Sequence, residues 1–271
     1  MKRLLTGAAL AVTLTACGVS TQQEIDMGAQ YSQQINAQLP IVGDPELNRY
    51  INVLGDSIAR LTSRTDITEA NGWHFYIVDS KEVNAFAVPG GYVYVNRGLI
   101  ERTQRMDQLA GVLGHEIGHV VRRHSIKQMQ QQQGANIGIT LACVLTNVCN
   151  NQAGQAAIQV GGTALFARFS RQDESEADEE GIRNTVRAGI SPNGVPEMFQ
   201  ILINERAANP SAVAGFFATH PLEEDRIAAT RALIATYDPA IIRSLSTDSR
   251  NYQTFKARVH SLPPSPTPRA R

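Results

Sequence analysis

The stretch GVLGHEIGHVVRRHS, Gly111–Ser125, decides how the rest of this chain is read. His115, Glu116 and His119 lie among Leu109, Val112, Leu113, Ile117, Val120 and Val121, so a helix here is apolar on most sides and predicted to be buried. Imidazoles four residues apart sit about 40° apart on the helical wheel and can face one ion. Burying His, Glu and His without partners is costly, and a metal supplies the partner. Zinc lowers the pKa of a bound water to about 7, and Glu116 beside the pair can take its proton, which is the chemistry of amide hydrolysis. Gly111, Gly114 and Gly118 each cost about 1 kcal/mol of helix propensity. Spaced by three and four, they form one bare stripe that predicts close approach of another backbone, either a neighbouring helix or the floor of a cleft.

A catalytic zinc takes three protein ligands and keeps one open position. The elongated pattern with a third histidine fails, because Arg122 and Ser125 stand where it needs glycine and histidine. On one continuous helix over 105–129, His124 falls half a turn from His115 and faces away, in a structural or supporting role. The alternative is a carboxylate on a later helix, within SRQDESEADEEG, Ser170–Gly181. Glu174 and Asp178 share a face there, whereas Glu176 points nearly opposite. One carboxylate can bind metal while Asp178 hydrogen-bonds a ligand histidine from behind and fixes its tautomer. Spacing leaves Glu174, Glu176 and Asp173 all open as the ligand. Ala177 allows close packing of this helix.

The 271 residues are 42% hydrophobic and 18% charged, which fits a globular chain with a real core. Basic and acidic side chains balance at 25 each, so no basic footprint points to nucleic acid. The N-terminus carries Lys2 and Arg3, an apolar run from Leu4 to Leu14, and small residues before Cys17. This has the form of a signal peptide over 1–16, too short to span a bilayer as a mature helix. Leu14-Thr15-Ala16-Cys17 resembles a bacterial lipobox, which implies cleavage before Cys17 and its lipidation. With Gly18 rather than aspartate next, the sorting rule for such lipoproteins implies the periplasmic face of the outer membrane. Loss of Lys2 and Arg3 leaves 23 basic against 25 acidic side chains. Cys143 and Cys149 are a candidate disulfide in an oxidising compartment. Their Cα atoms would lie about 9 Å apart on one helix, so a bond requires a turn or a helix end between them.

Elsewhere, residues 18–30 read as a tether, and helices are predicted over 31–40 and 45–63, the second with Asp44 as N-cap, Pro45 at N1 and an apolar row of Leu47, Ile51, Leu54, Ile58 and Leu61. Strands are predicted at Trp73–Asp79 and on either side of Pro89-Gly90-Gly91, as a small β-meander. Further helices are expected over 155–189, 194–208 and 221–236. Residues 137–148 are apolar but too few to cross a membrane. Residues 246–271 read as a tail, disordered over the proline-rich 262–271.

Four ordered motifs, VNAFAVPGG (83–91), GHEIGHVVRRH (114–124), SRQDESEAD (170–178) and THPLEEDR (219–226), resemble the HtpX-like and CAAX-prenyl-protease-type zinc endopeptidases, with their soluble periplasmic LoiP/BepA-type branch the nearest likeness. The resemblance covers about residues 44–236. It implies a zincin-like α+β fold, mainly α, in a metallopeptidase domain over 31–245, with one zinc per chain held by His115, His119 and Glu174. It implies that Asp178 supports the site and that Asn84 and Ala85 lie on an edge strand where an extended substrate adds. It places His220 near the metal, as an oxyanion stabiliser or as a latency ligand in the open position. The implied substrates are unfolded or misfolded envelope proteins, with envelope proteins as partners and the membrane met only through the lipid. The helical-repeat extension of the BepA type and the multi-span membrane part of HtpX have no counterpart in the sequence. The rival reading is a periplasmic chaperone or assembly factor that rarely cuts; an intact Glu116 counts against it, since holding a client needs no base.

Overall fold

The computed structural model describes residues 19–133, 168–221 and 224–266. The signal peptide, Cys17, the apolar run 137–148, Cys143 and Cys149 lie outside the described residues.

Helix α1 (Thr21–Gln38) begins ten residues before its predicted start, inside the stretch read as a tether. Ser20 and Gln23 form a reciprocal capping box, with Ser20 N–H donating to Gln23 Oε1 at 2.9 Å. Glu24, Ile25 and Gly28 turn inward, a sparse pattern that a search for apolar residues passes over. Helix α2 (Pro45–Ala59) starts as expected, with Asp44 accepting from the N–H groups of Glu46 and Leu47. Its Leu47, Ile51, Leu54 and Ile58 are buried. The short α3 (Thr65–Ala70) leads to the sheet.

The sheet is not a meander. Strands β1 (His74–Val78), β2 (Ala85–Val88) and β3 (Tyr92–Asn96) take the order β1-β3-β2, with β3 parallel to β1 and antiparallel to β2. β3 is buried along its whole length, and the centre of a sheet is where a strand is covered on both faces. Gly90 and Gly91, at φ 79° and 91°, make the β2–β3 turn in a conformation that favours glycine. Phe75, Ile77, Ala85, Ala87, Val93 and Val95 face the main core, and Val78, Val88, Tyr92 and Tyr94 face α1. Tyr94 stacks between Tyr76 and Phe86 at centroid distances of 5.0 and 4.8 Å.

After α4 (Arg97–Arg102) comes the central helix α5 (Met106–Val121), buried from Asp107 to Val120. The predicted continuous helix over 105–129 breaks at Arg122–Arg123, where Arg123 has φ 57°, and α6 (His124–Gln133) starts afresh. Helix α7 (Arg171–Arg187) packs along α5, and α8 (Gly194–Ala208) crosses its N-terminal half. The glycine stripe faces both. A Cβ on Gly118 would stand 2.6 Å from the Ala177 carbonyl oxygen, one on Gly114 3.1 Å from Gly181 Cα, and one on Gly111 2.9 Å from Val195 N. The close approach expected of the stripe is therefore with two neighbouring helices.

A 3₁₀ turn (Pro210–Val213), α9 (Ala214–Thr219), α10 (Glu224–Ile234) and α11 (Pro239–Ser244) follow. Part of the stretch read as a tail is structure: α12 (Arg250–His260) buries Tyr252, Phe255 and Val259. It docks on α2 and α4 through a 4.4 Å Tyr50–Phe255 stack and a 2.6 Å hydrogen bond between Thr103 Oγ1 and Tyr252 OH. Among the described residues, no helix is long and apolar enough to cross a membrane.

Candidate metal centre

His115 and His119 project from α5 one turn apart, as their spacing predicts, toward the face where α7 lies. Glu174 comes from the first turn of α7, held in register by Gly118 against Ala177 three residues further on. His220 caps the C-terminus of α9. One donor atom from each of these four buried residues lies within 4.8 Å of every other. His119 Nε2 is 3.1 Å from His115 Nε2, and Glu174 lies 3.5 Å from each of these nitrogens. His220 Nδ1 is 3.0 Å from Glu174 Oε1 and 3.4 Å from His115 Nε2.

Three imidazoles and one carboxylate converging in a buried space suit zinc, which prefers nitrogen and carboxylate donors in a small tetrahedral shell. The outer nitrogens have their own partners. His115 Nδ1 is 2.9 Å from Asp178 Oδ1, one turn below Glu174, and His119 Nδ1 is 2.9 Å from His124 Nδ1. This leaves the Nε2 atoms facing inward. Glu116 Oε1, buried beside the cluster and 3.7 Å from His220 Nε2, has no hydrogen-bond partner. Such an orphan costs free energy unless something outside the chain occupies the space before it.

Electrostatics bind the set together. Burial raises the Glu116 carboxyl above its usual range. Burial also opposes ionisation of Glu174, but the charge of His220 and hydrogen bonds from His115, His119 and His220 hold it well below the carboxylate range. Burial alone lowers His115, yet hydrogen bonds to Asp178 and Glu174 outweigh it and push the imidazole up to about 9. Burial lowers His119 well below the ordinary value.

Arg226 is the functional neighbour whose role was not legible in the sequence, where it marked only a family element. From α10 it donates to both Asp178 oxygens, at 2.9 and 2.7 Å, and to Glu174 Oε2, and its guanidinium lies 4.4 Å over the Phe199 ring. It holds both carboxylates in place beside the donor cluster. Of the competing acids, Glu176 turns away to His124 Nε2 at 3.3 Å, and Asp173 is spent capping α7 through Ser170. His220 ends α9 rather than opening the helix expected over 221–236.

Ala85 opens β2, an edge strand packed on α5, and Asn84 immediately precedes it. The Ala85 N–H is held by Asn84 Oδ1 at 3.0 Å, and the Asn84 carbonyl accepts from Asn96 N–H at 2.9 Å. An apolar hollow lined by Val112, Val195, Met198, Phe199, Leu202 and Phe216 opens against His115 and Glu116.

The family model described as peptidase family M48 matches residues 46–234. The beta-barrel assembly-enhancing protease of Escherichia coli (strain K12) is 34% identical over 250 residues, which is 89% of this chain and 49% of that protein. Metalloprotease LoiP of the same strain is 25% identical over 240 residues, 83% of this chain and 94% of its own length. The mitochondrial metalloendopeptidase OMA1 of Schizosaccharomyces pombe is 30% identical over 155 residues, 57% of this chain and 44% of that protein. The chain spans about half the length of the beta-barrel assembly-enhancing proteases it matches. With the matched stretch covering every residue of the donor cluster, the chain belongs to peptidase family M48, a family of zinc metallopeptidases.

Proposed function

We propose that this protein is a zinc metalloendopeptidase of the cell envelope, and that His115, His119 and Glu174 hold the metal. Zinc, when bound, polarises a peptide carbonyl and acidifies water. Glu116 takes the water's proton and delivers it to the leaving amine, a transfer worth about 10²- to 10⁴-fold in rate. The observation that carries this reading is Glu116 Oε1, buried, without a hydrogen-bond partner and beside the donor cluster. A carboxylate oxygen left without a hydrogen bond there is suited to accept a proton from water.

Asp178 holds His115 from behind, and Arg226 restrains Asp178 and Glu174 together. His220 sits within the donor cluster, which favours the latency reading: with zinc bound, its imidazole would compete with water for the open position and would have to withdraw before turnover. An extended polypeptide adds to β2 beside Asn84 and Ala85 through main-chain hydrogen bonds, a sequence-independent mode suited to unfolded chains. The Asn84 side chain, now on the Ala85 N–H, gives way when it does.

The proposed substrates are unfolded or misfolded envelope proteins, β-barrel precursors among them, by likeness to the relatives named for barrel assembly. The proposed location is the periplasmic face of the outer membrane, anchored through lipid on Cys17. Helix α1 starts at Thr21, four residues on, so such an anchor would hold the enzyme close to the bilayer. The test is casein cleavage by the zinc-loaded protein beside Glu116→Gln. Activity should fall by at least about 10²-fold while zinc content is unchanged. If the wild type never cuts but still protects clients from aggregation, the chaperone reading replaces this one.

A further inference from the structure

His124 follows immediately on the break that ends α5, and beyond its contact with His119 Nδ1 it has been given no role. On a continuous helix, the fifth residue after His119 points about 140° away from it. Here Arg123 takes φ 57°, a left-handed conformation that costs a residue with a side chain about 1–2 kcal/mol. The turn is held from outside. Arg123 donates to Glu24 Oε2 and to the Val19 carbonyl, each at 2.7 Å, and Glu24, fully buried on α1, also pairs with Arg64 at 3.0 Å. The turn brings the His124 ring back underneath His119, where it is fully buried.

The directions of the hydrogen bonds then follow from valence. His119 Nε2 faces the donor cluster. A neutral imidazole that gives Nε2 to a metal carries its proton on Nδ1. His119 Nδ1–H therefore donates to His124 Nδ1 across 2.9 Å, which forces the His124 proton onto Nε2. That N–H points at Glu176 Oε2, 3.3 Å away. Phe169 stacks on the His119 ring at 4.0 Å. We propose that His124, backed by Glu176, is the positioning residue that fixes the tautomer and ring orientation of His119, doing for the second histidine through a relay what Asp178 does for the first directly. The inference rests on the reading of His115, His119 and Glu174 as metal ligands.

Zinc affinity by chelator competition, together with the visible absorption of the cobalt-substituted protein, tests it without reference to turnover. His124→Phe keeps the ring volume and removes the acceptor. Zinc binding should weaken about 10- to 100-fold, and the cobalt bands should shift. His124→Asn restores an oxygen near the Nδ1 position and should lose less than the roughly 10-fold lower end of that scale. Glu176→Ala, at the outer end of the relay, should fall between them. Should His124→Phe fail to fold, the Asn and Glu176 variants still decide. A loss with His124→Asn as large as that expected for the phenylalanine overturns the proposal, and so does wild-type affinity with unshifted cobalt bands in Glu176→Ala. Wild-type protein that takes up no zinc defeats the ligand reading itself. Tight wild-type binding that His124→Phe leaves untouched defeats only the relay.

Discussion

Gly118→Ala should loosen the metal site although residue 118 touches no metal donor. The new Cβ would stand 2.6 Å from the Ala177 carbonyl oxygen and 2.9 Å from its Cα, whereas ordinary contact begins at 3.4 Å. Both neighbours are backbone, so α7 must retreat by about 0.8 Å at that point, the difference between those oxygen distances. Glu174 lies three residues earlier on the same helix, and metal constellations tolerate roughly 0.5 Å of misplacement. Zinc affinity should therefore fall about 10- to 100-fold, the scale on which misoriented ligand shells lose metal. Overpacking costs about 1–3 kcal/mol, and alanine returns about 1 kcal/mol of helix propensity. The metal-free protein should lose about 1 kcal/mol, a melting shift of roughly 2–4 °C for a domain of this size. Gly111→Ala is the control: its Cβ meets Val195 at the start of α8, not α7. It should lower the melting temperature similarly but keep zinc affinity within about a factor of two, as separated sites do. Calorimetry with and without chelator and a zinc competition titration measure both quantities. If Gly118→Ala binds zinc as wild type does, the stripe does not set the spacing between the two metal-bearing helices, and the reasoning fails.

Other expectations follow from the same geometry. His220→Ala should raise casein hydrolysis severalfold if the imidazole blocks the water position, and a fall in kcat with unchanged zinc affinity would instead make His220 an oxyanion stabiliser. In the metal-free protein the His115 pKa is raised above its unfolded value to about 9; its contribution to stability is therefore complete below about pH 6.5 and is lost as pH rises through about 9. Zinc must displace that proton, so its affinity should climb by up to about tenfold per pH unit over the same window, with proton release seen by calorimetry in buffers of different ionisation enthalpy, whereas a flat profile would contradict the pairing with Asp178.

The two histidines, the glutamate between them and the bare stripe were legible because helical periodicity fixes neighbours within one helix. Glu174 was not separable from Glu176 and Asp173 by spacing: the choice depends on Gly118 seating Ala177, a contact between segments nearly sixty residues apart. The family resemblance named Glu174, and the structure brings it into the donor cluster. The supporting role expected of His124 stands, but its direction was not legible, because one left-handed residue, Arg123, held by Glu24 from the other end of the chain, bends what local sequence reads as a continuous helix. The sheet order was hidden for a similar reason, since alternation marks a strand and its faces but not its neighbours. The helix over 250–260 shows only three apolar contacts, Tyr252, Phe255 and Val259, and they gain meaning once α2 and α4 are in place to receive them.

The most direct test of the account is the zinc content, by mass spectrometry, of the purified wild type beside Glu174→Ala and Glu176→Ala. About one zinc per chain in the wild type and in Glu176→Ala, with loss in Glu174→Ala, is the predicted result. A metal-free wild type, or zinc retained in Glu174→Ala and lost in Glu176→Ala, would contradict it.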